Sequence, residues 1–433
     1  MRYFSVNGGA PVSFREAALS GLARDGGLFL PETIPTLGPE VWAELAGASL
    51  QDIAFALARA LLGGDIPDDD LRAIVDGALD FPIPLVTLDA ETRVLELFHG
   101  PTLAFKDVGA RFMARVFAWL QRGASQPFTV LVATSGDTGG AVASGFGPVP
   151  GARVVLLYPR GRVSPLQERQ LTTGGPSVTA LAVDGAFDDC QRLVKEAFRD
   201  ADVRAWLTLT SANSINITRL LPQTFSYAWA WAQLDDRSRP LIFSVPSGNL
   251  GNLTAGLIAR RMGLPIARFI AAANANGGLT GYLAGAEPTP HPSLHTLSNA
   301  MDVGDPSNLT RILALYGHDR AALAREVSGY TISDTETLDA MRALNQLYGY
   351  TADPHTAVGY AALERDRATR PEAQTAIVLA TAHPAKFPDV CERALGHPIT
   401  LPERLRATLD RTPRITPLAN SYAALRAVLL DES

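Results

Sequence analysis

From about residue 129 onward, short apolar runs rich in β-branched residues alternate with stretches of helical period. TVLVA (129–133), ARVVLLYP (152–159), VTALAVDG (178–185), LIFSVP (241–246), ARFIAAA (267–273) and TAIVLAT (375–381) carry the strand signature. Between them GAVASGF, VSPLQERQL and AFDDCQRLVKEAF read as helices. Alternation of this kind predicts parallel sheets with helices on both faces. A long helical segment from about Ile215 to Gln233 separates two groups of strands, so the chain reads as two parallel-sheet α/β domains packed together. Residues 1–95 differ: GLFLPETIPTLGPE is Pro-rich and two helical patterns follow, which predicts a mainly helical N-terminal domain. The expected boundaries are thus 1–95, a smaller α/β domain over 96–210, and a larger one over 211–433. Residues 285–310, rich in Pro, Ser, Asn and His, read as a long ordered loop of the kind that lines a site.

Composition narrows the class. A chain of 433 residues with 47% hydrophobic content has ample material for a core. A net charge of −6 with scattered arginines argues against nucleic acid as partner. Two cysteines exclude a disulfide scaffold or a thiolate cluster, and the seven histidines show no H-E-x-x-H pattern, so no metal site is expected. The N-terminus lacks the basic and apolar regions of a signal peptide, and no apolar run approaches membrane-spanning length. The expectation is a cytoplasmic enzyme without a membrane partner.

Candidate chemistry begins with lysine. Among 38 basic residues only Lys106, Lys195 and Lys386 are lysines. A desolvated lysine amine can lose its proton and attack a carbonyl, whereas a guanidinium cannot. Lys106, between Phe105 and Asp107 at the start of a helical stretch, has the setting of a Schiff-base lysine. Lys195 falls off the apolar stripe of its helix and reads as a surface charge. In VPSGNLGNLTAG, Gly248 and Gly251 permit a tight turn whose amides, with the following helix dipole, cradle an anion. An ordinary strand-to-helix turn is the competing reading. In TSGDTGGA, Thr134, Ser135 and Thr138 offer hydroxyls beside close-approach glycines, which suits a carboxylate or phosphate, or else a simple cap. In SANSINITRLL, Asn213, Ser214, Asn216 and Arg219 stand at a helix start. Arg219 can fork an anion, or the group can be a cap plus a surface arginine. Thr381 and His383 follow the strand ending at Ala380, the edge where open α/β sheets place ligands. Lys386 follows within reach of the same edge; His383 also reads as a packed loop histidine, and Lys386 as a surface charge at a helix start.

Taken in order along the chain, SFREAALSGLARDGGLFLPE, HGPTLAFKD, TSGDTGGA, SPLQERQL, SANSINITRLL, PSGNLGN, SNAMDVGDPSN, DPHTAVGY and ATAHPAKFP form a specific set. The set resembles the threonine synthase family, pyridoxal 5'-phosphate enzymes of the tryptophan-synthase-β-like fold, in its larger microbial and fungal form. The resemblance implies that Lys106 is the Schiff-base lysine. It implies that Gly248, Asn249, Leu250, Gly251 and Asn252 hold the cofactor phosphate, and that Thr381 partners the pyridine nitrogen. It implies substrate contacts from Ser135, Thr138, Asn213, Ser214, Asn216 and Arg219. Asp137 falls where many relatives of the wider fold carry an asparagine bonded to the cofactor's phenolic oxygen. An aspartate there repels a phenolate unless one group is protonated, so its role stays open. The reaction implied takes O-phospho-L-homoserine and water to L-threonine and phosphate, by a monomer or homodimer. The alternatives are a phospholyase giving 2-oxobutyrate from the same substrate, and a non-catalytic phosphometabolite-binding protein.

Overall fold

The computed structural model of the chain describes residues 1–122 and 127–431. Fourteen strands occur among them. In chain order they are β1 (Arg2–Ser5), β2 (Val12–Ser13), β3 (Phe29–Pro31), β4 (Leu85–Thr87), β5 (Thr92–Glu96), β6 (Phe128–Ala133), β7 (Ala152–Pro159), β8 (Val178–Val183), β9 (Thr208–Thr210), β10 (Leu241–Pro246), β11 (Arg268–Ala273), β12 (Val327–Thr331), β13 (Thr375–Ala380) and β14 (Thr416–Leu418).

Two sheets dominate. The six-stranded one runs β12-β11-β10-β13-β5-β4, parallel except for the β4–β5 edge pair. The five-stranded one runs β14-β8-β7-β6-β9 and is parallel throughout. Every residue of β6, β10 and β13 is buried, as expected of central parallel strands covered by helices on both faces. Strand order reverses twice. In the larger sheet β10 leads outward through β11 and β12 on one side, while β13 and β5 lie on the other. In the smaller sheet β6 leads to β7 and β8, while β9 lies opposite. Crevices at such reversals, beyond the strands' carboxyl ends, are where open α/β sheets bind ligands.

The N-terminal region is not simply helical. It holds helices Leu50–Leu62 and Asp68–Ala78, but also the antiparallel sheet β2-β1-β3. Strands of two to four residues are too short to show a period, which is why the sequence pattern misses them. Nor do the sheets divide at single cuts. β4 and β5 enter the larger sheet, with β5 pairing to β13 from Thr92 opposite Ala376 to Glu96 opposite Ala380. At the other end β14 crosses to the smaller sheet beside β8, and Leu425 and Leu429 of helix Tyr422–Leu430 join that sheet's core. One continuous apolar core spans the N-terminal helices, helix Lys106–Leu120 and strands of both sheets. Among the described residues no helix is long and apolar enough to cross a membrane.

Candidate active site

The loops that leave β6, β9, β10 and β13 at their carboxyl ends converge on one cleft, together with the start of helix Lys106–Leu120. The cleft holds about 1290 Å³ of space between protein atoms, its open mouth included.

Lys106 is fixed by its flanks. The segment before it is stitched to the turn beyond β13: Phe105 N donates to Thr381 O at 2.9 Å, and His383 N to Leu103 O at 3.1 Å. Leu103 takes a left-handed φ of 57° to make that turn. Asp107, fully buried, accepts Thr102 N and Thr102 Oγ1, both at 2.8 Å, and so anchors the first helical turn. Lys106 Nζ lies 4.2 Å from the centroid of the Phe105 ring. Burial, and then the positive charge of Arg219, push its pKa down to about 8, with Asp137 pulling the other way.

Beyond β10 the chain turns sharply, with Leu250 at φ 60° before helix Gly251–Arg261. Among the described residues the N–H groups of Gly248 through Asn252 find no protein acceptor. They sit at a helix N-terminus, where an anion is favoured. Gly248 cannot be larger without a shift, since a Cβ there would lie 2.6 Å from Met301 Cα. The loop is braced by side chains. Asn249 donates to Ser214 Oγ at 2.8 Å and accepts Ser307 N at 2.6 Å, while Asn252 Oδ1 accepts the Tyr227 hydroxyl at 2.8 Å.

A second anion setting faces it. Arg219 is buried, and burial lowers its pKa to about 10. One of its nitrogens donates to Ala212 O, yet its Nε has no partner among the described residues. A buried guanidinium short of acceptors can donate a charged hydrogen bond to an anion. Gly109 lets the Lys106 helix approach, because a Cβ there would lie 2.9 Å from Arg219 O.

The third setting is the start of helix Asp137–Phe146. Thr134 is used by the turn itself, where its hydroxyl accepts Gly136 N at 3.0 Å and Gly139 N at 2.8 Å. Ser135, Asp137 and Thr138 line the cleft. Asp137 is paired: Lys386 Nζ lies 2.6 Å from its Oδ1, and Gln167 Nε2 donates to the same oxygen at 3.0 Å. Burial alone raises this carboxyl, but Lys386 and the Gln167 bond outweigh burial and hold it below the usual range.

Most residues expected at the site do meet there. Lys106, Ser135, Asp137, Thr138, Asn213, Ser214, Arg219, Gly248 through Asn252 and Thr381 all line the cleft. Asn216 does not. It is fully buried, donates to Ala18 O at 2.9 Å and Ser211 O at 3.1 Å, and caps helix Ile217–Leu220 through Thr218 N at 3.0 Å. Its polar atoms are committed to the protein, so the expected substrate contact is withdrawn. Asn213 and Ser214 also bond the scaffold, to Ala133 O and Asn249. Lys386 is fully buried rather than a surface charge. His383 accepts Ala385 N and packs edge-on against Phe98, away from the cleft lining.

The sequence reading gave His355 no role. His355 lines the cleft, its Nδ1 2.7 Å from Asp353 Oδ1 and its Nε2 accepting Ala300 N at 3.1 Å. That pattern puts the ring proton on Nδ1. The D-P-H start of helix Pro354–Thr369, an N-cap aspartate followed by proline, was the available signal. Ala300, Met301 and Val303 come from the long polar loop, as its composition suggested. Lys195 is exposed as expected, yet lines the cleft with Phe187 and Gln191.

Comparison with known proteins places this geometry. Residues 82–381 match the family model described as pyridoxal-phosphate dependent enzyme, residues 2–79 that for the threonine synthase N terminus, and residues 356–429 that for the threonine synthase C-terminal region. The chain is 46% identical to a threonine synthase of Haemophilus influenzae, over 97% of both chains. It superposes on the crystal structure of Escherichia coli threonine synthase with a TM-score of 0.93 at 42% identity, covering 99% of each chain. A structure of threonine synthase with bound pyridoxal phosphate from Brucella melitensis gives 0.91 at 37% identity, covering 99% of this chain and 98% of that one.

Proposed function

This chain belongs to the pyridoxal-phosphate-dependent threonine synthase family and has its activity, and we propose that it converts O-phospho-L-homoserine and water to L-threonine and phosphate with Lys106 as its central amine. The observation that carries the reading is a half-buried lysine that lines one cleft with two separate anion settings, the free amides of Gly248–Asn252 and the under-bonded Arg219. Two phosphates, the cofactor's and the substrate's, need two such settings.

The residues present fit the cofactor. Lys106 would hold it covalently, the Gly248–Asn252 amides its phosphate, and the Thr381 hydroxyl its ring nitrogen. When bound, it supplies a ring that stabilises negative charge at the substrate's Cα. Ser135 and Thr138, at a helix N-terminus, suit the substrate carboxylate. Arg219, beside Asn213 and Ser214, holds the γ-phosphate and neutralises it as the Cγ–O bond breaks. Lys106 Nζ takes the Cα proton, and a Cβ proton is lost as phosphate leaves. Water then adds at Cβ, and protons return to Cγ and Cα. A flexible amine titrating near about 8 can carry protons in both directions at neutral pH. One chain supplies every group named, so a monomer or homodimer in the cytoplasm suffices.

The test is an absorption spectrum of the pure protein, then incubation with O-phospho-L-homoserine. An imine band, phosphate release and threonine on chromatography are expected. Release of 2-oxobutyrate instead would make it a phospholyase, and an absent imine band would make it a binding protein.

A further inference from the structure

The three lysines of this arginine-rich chain do not scatter. Lys106 and Lys195 line the cleft, and Lys386 binds a carboxylate that lines it. Lys386 closes the short turn Pro384–Lys386 beyond β13 and is wholly buried. Its Nζ donates to Thr102 O at 3.0 Å and lies 2.6 Å from Asp137 Oδ1. Gln167 bonds the same carboxylate oxygen, and Ser164, at the head of Gln167's helix, donates to Lys386 O at 3.2 Å. The ion pair is therefore clamped between a loop of the larger sheet and two helices of the smaller one. Asp137 Oδ2 has no protein partner among the described residues.

A buried ion pair is weak grounds for stability, because desolvation offsets most of the attraction. It does decide which charge a neighbour feels. Asp137 favours a protonated Lys106, and Arg219 opposes it. Other titratable groups are packed around Lys386 and Asp137. These surround the ion pair itself: Asp107, from Lys106's own helix, and His383, from the turn beside it, face Lys386, and the His355 ring, held by Asp353, faces Asp137.

We propose that Lys386 is a positioning residue for the reaction: by pairing with Asp137 it offsets part of the pull of a cleft carboxylate that would otherwise hold Lys106 as an ammonium, and so lets Lys106 bond the cofactor as a free amine. The inference rests on Lys106 being the cofactor lysine.

Cofactor uptake by the apo protein tests it without turnover. Pyridoxal phosphate is added across a pH series and the growth of the imine band is timed, with borohydride trapping to identify the lysine. The wild-type midpoint is expected near about 8. Lys386→Met should raise it by about one unit, a roughly fivefold loss of free amine at the wild-type midpoint. Asp137→Asn leaves Lys386 uncompensated and should lower the midpoint, and the double variant should restore it. A purely structural role would lower thermal stability without shifts of opposite sign. Midpoints that stay put or move together in folded variants overturn the proposal. If Lys386→Met does not fold, an unchanged or raised midpoint in Asp137→Asn overturns it alone. Trapping at a lysine other than Lys106 in the wild type would instead remove the assignment on which the inference rests.

Discussion

At the scale of single residues, the cleft holds charges placed where water cannot serve them. Arg219 is the clearest case, with a buried Nε that has no acceptor among the described residues. A charged hydrogen bond contributes about 1.5–3 kcal/mol, so Arg219→Met should lower kcat/KM by roughly tenfold to a hundredfold. Cofactor content should stay near wild type, because the Gly248–Asn252 loop is untouched. Steady-state kinetics beside the imine absorbance checks this, and lost cofactor with retained substrate affinity would reverse the role. Lys106 gives a second prediction. Folding lowers its pKa to about 8, from an ordinary lysine value of about 10.4. Within that window the unfolded chain binds more protons than the folded apo protein, so this residue's contribution to stability rises with pH. Apo Lys106→Met lacks that contribution. It should exceed apo wild type in denaturant midpoint most at and below the folded pKa, with the gap closing as pH climbs to the ordinary lysine value. A gap that does not change with pH would mean the amine is solvated in the folded state.

At the scale of elements, the site is made by strand-to-helix turns whose geometry excludes side chains. Gly248 packs so closely on Met301 that an added methyl must displace backbone. Overpacking of this kind costs about 1–3 kcal/mol. Gly248→Ala should therefore fold but bind pyridoxal phosphate about tenfold or more weakly, as read by titrating the apo protein. Unchanged cofactor affinity would exclude the loop from the phosphate site. These turns were legible in the sequence because glycine, small hydroxyls and a preceding β-branched run form a local signal. Asn216 misled for the same reason. A cap and a ligand contact share one local pattern, and only the bond to Ala18 O, in a helix nearly two hundred residues earlier, separates them.

At the scale of the molecule, the parts are tied by buried polar groups that cross the chain. Arg311 is fully buried and makes four bonds, to Phe29 O at 2.9 Å, Ser214 O at 2.9 Å, Ile215 O at 2.7 Å and Asn308 Oδ1 at 2.7 Å. It joins the N-terminal sheet to the segment that carries Ser214 and Arg219. Arg311→Met would strand these acceptors, each at about 1–3 kcal/mol if water does not reach it. Thermal unfolding should shift down by several degrees, and KM for the phosphorylated substrate should rise although Arg311 does not line the cleft. A stability loss with unchanged KM would confine Arg311 to the scaffold.

The sequence alone determined whatever is encoded within about fifteen residues. The buried parallel strands, the helices between them, the glycine-rich strand-to-helix turns and an unusual lysine at a helix start all belong to this class. Each depends on local periodicity, on glycine's conformational range, or on a residue whose chemistry no substitute shares. The order of its motifs carried the family. Tertiary structure decided what depends on partners distant in the chain. It sent β4 and β5 into the larger sheet and β14 into the smaller, because strand pairing is a contact between surfaces and leaves no mark on the interval between them. It buried Lys386 against Asp137 and placed His355 on Asp353 inside the cleft. A charge's meaning depends on what solvates it, and for these side chains packing of the two sheets replaced water with one another.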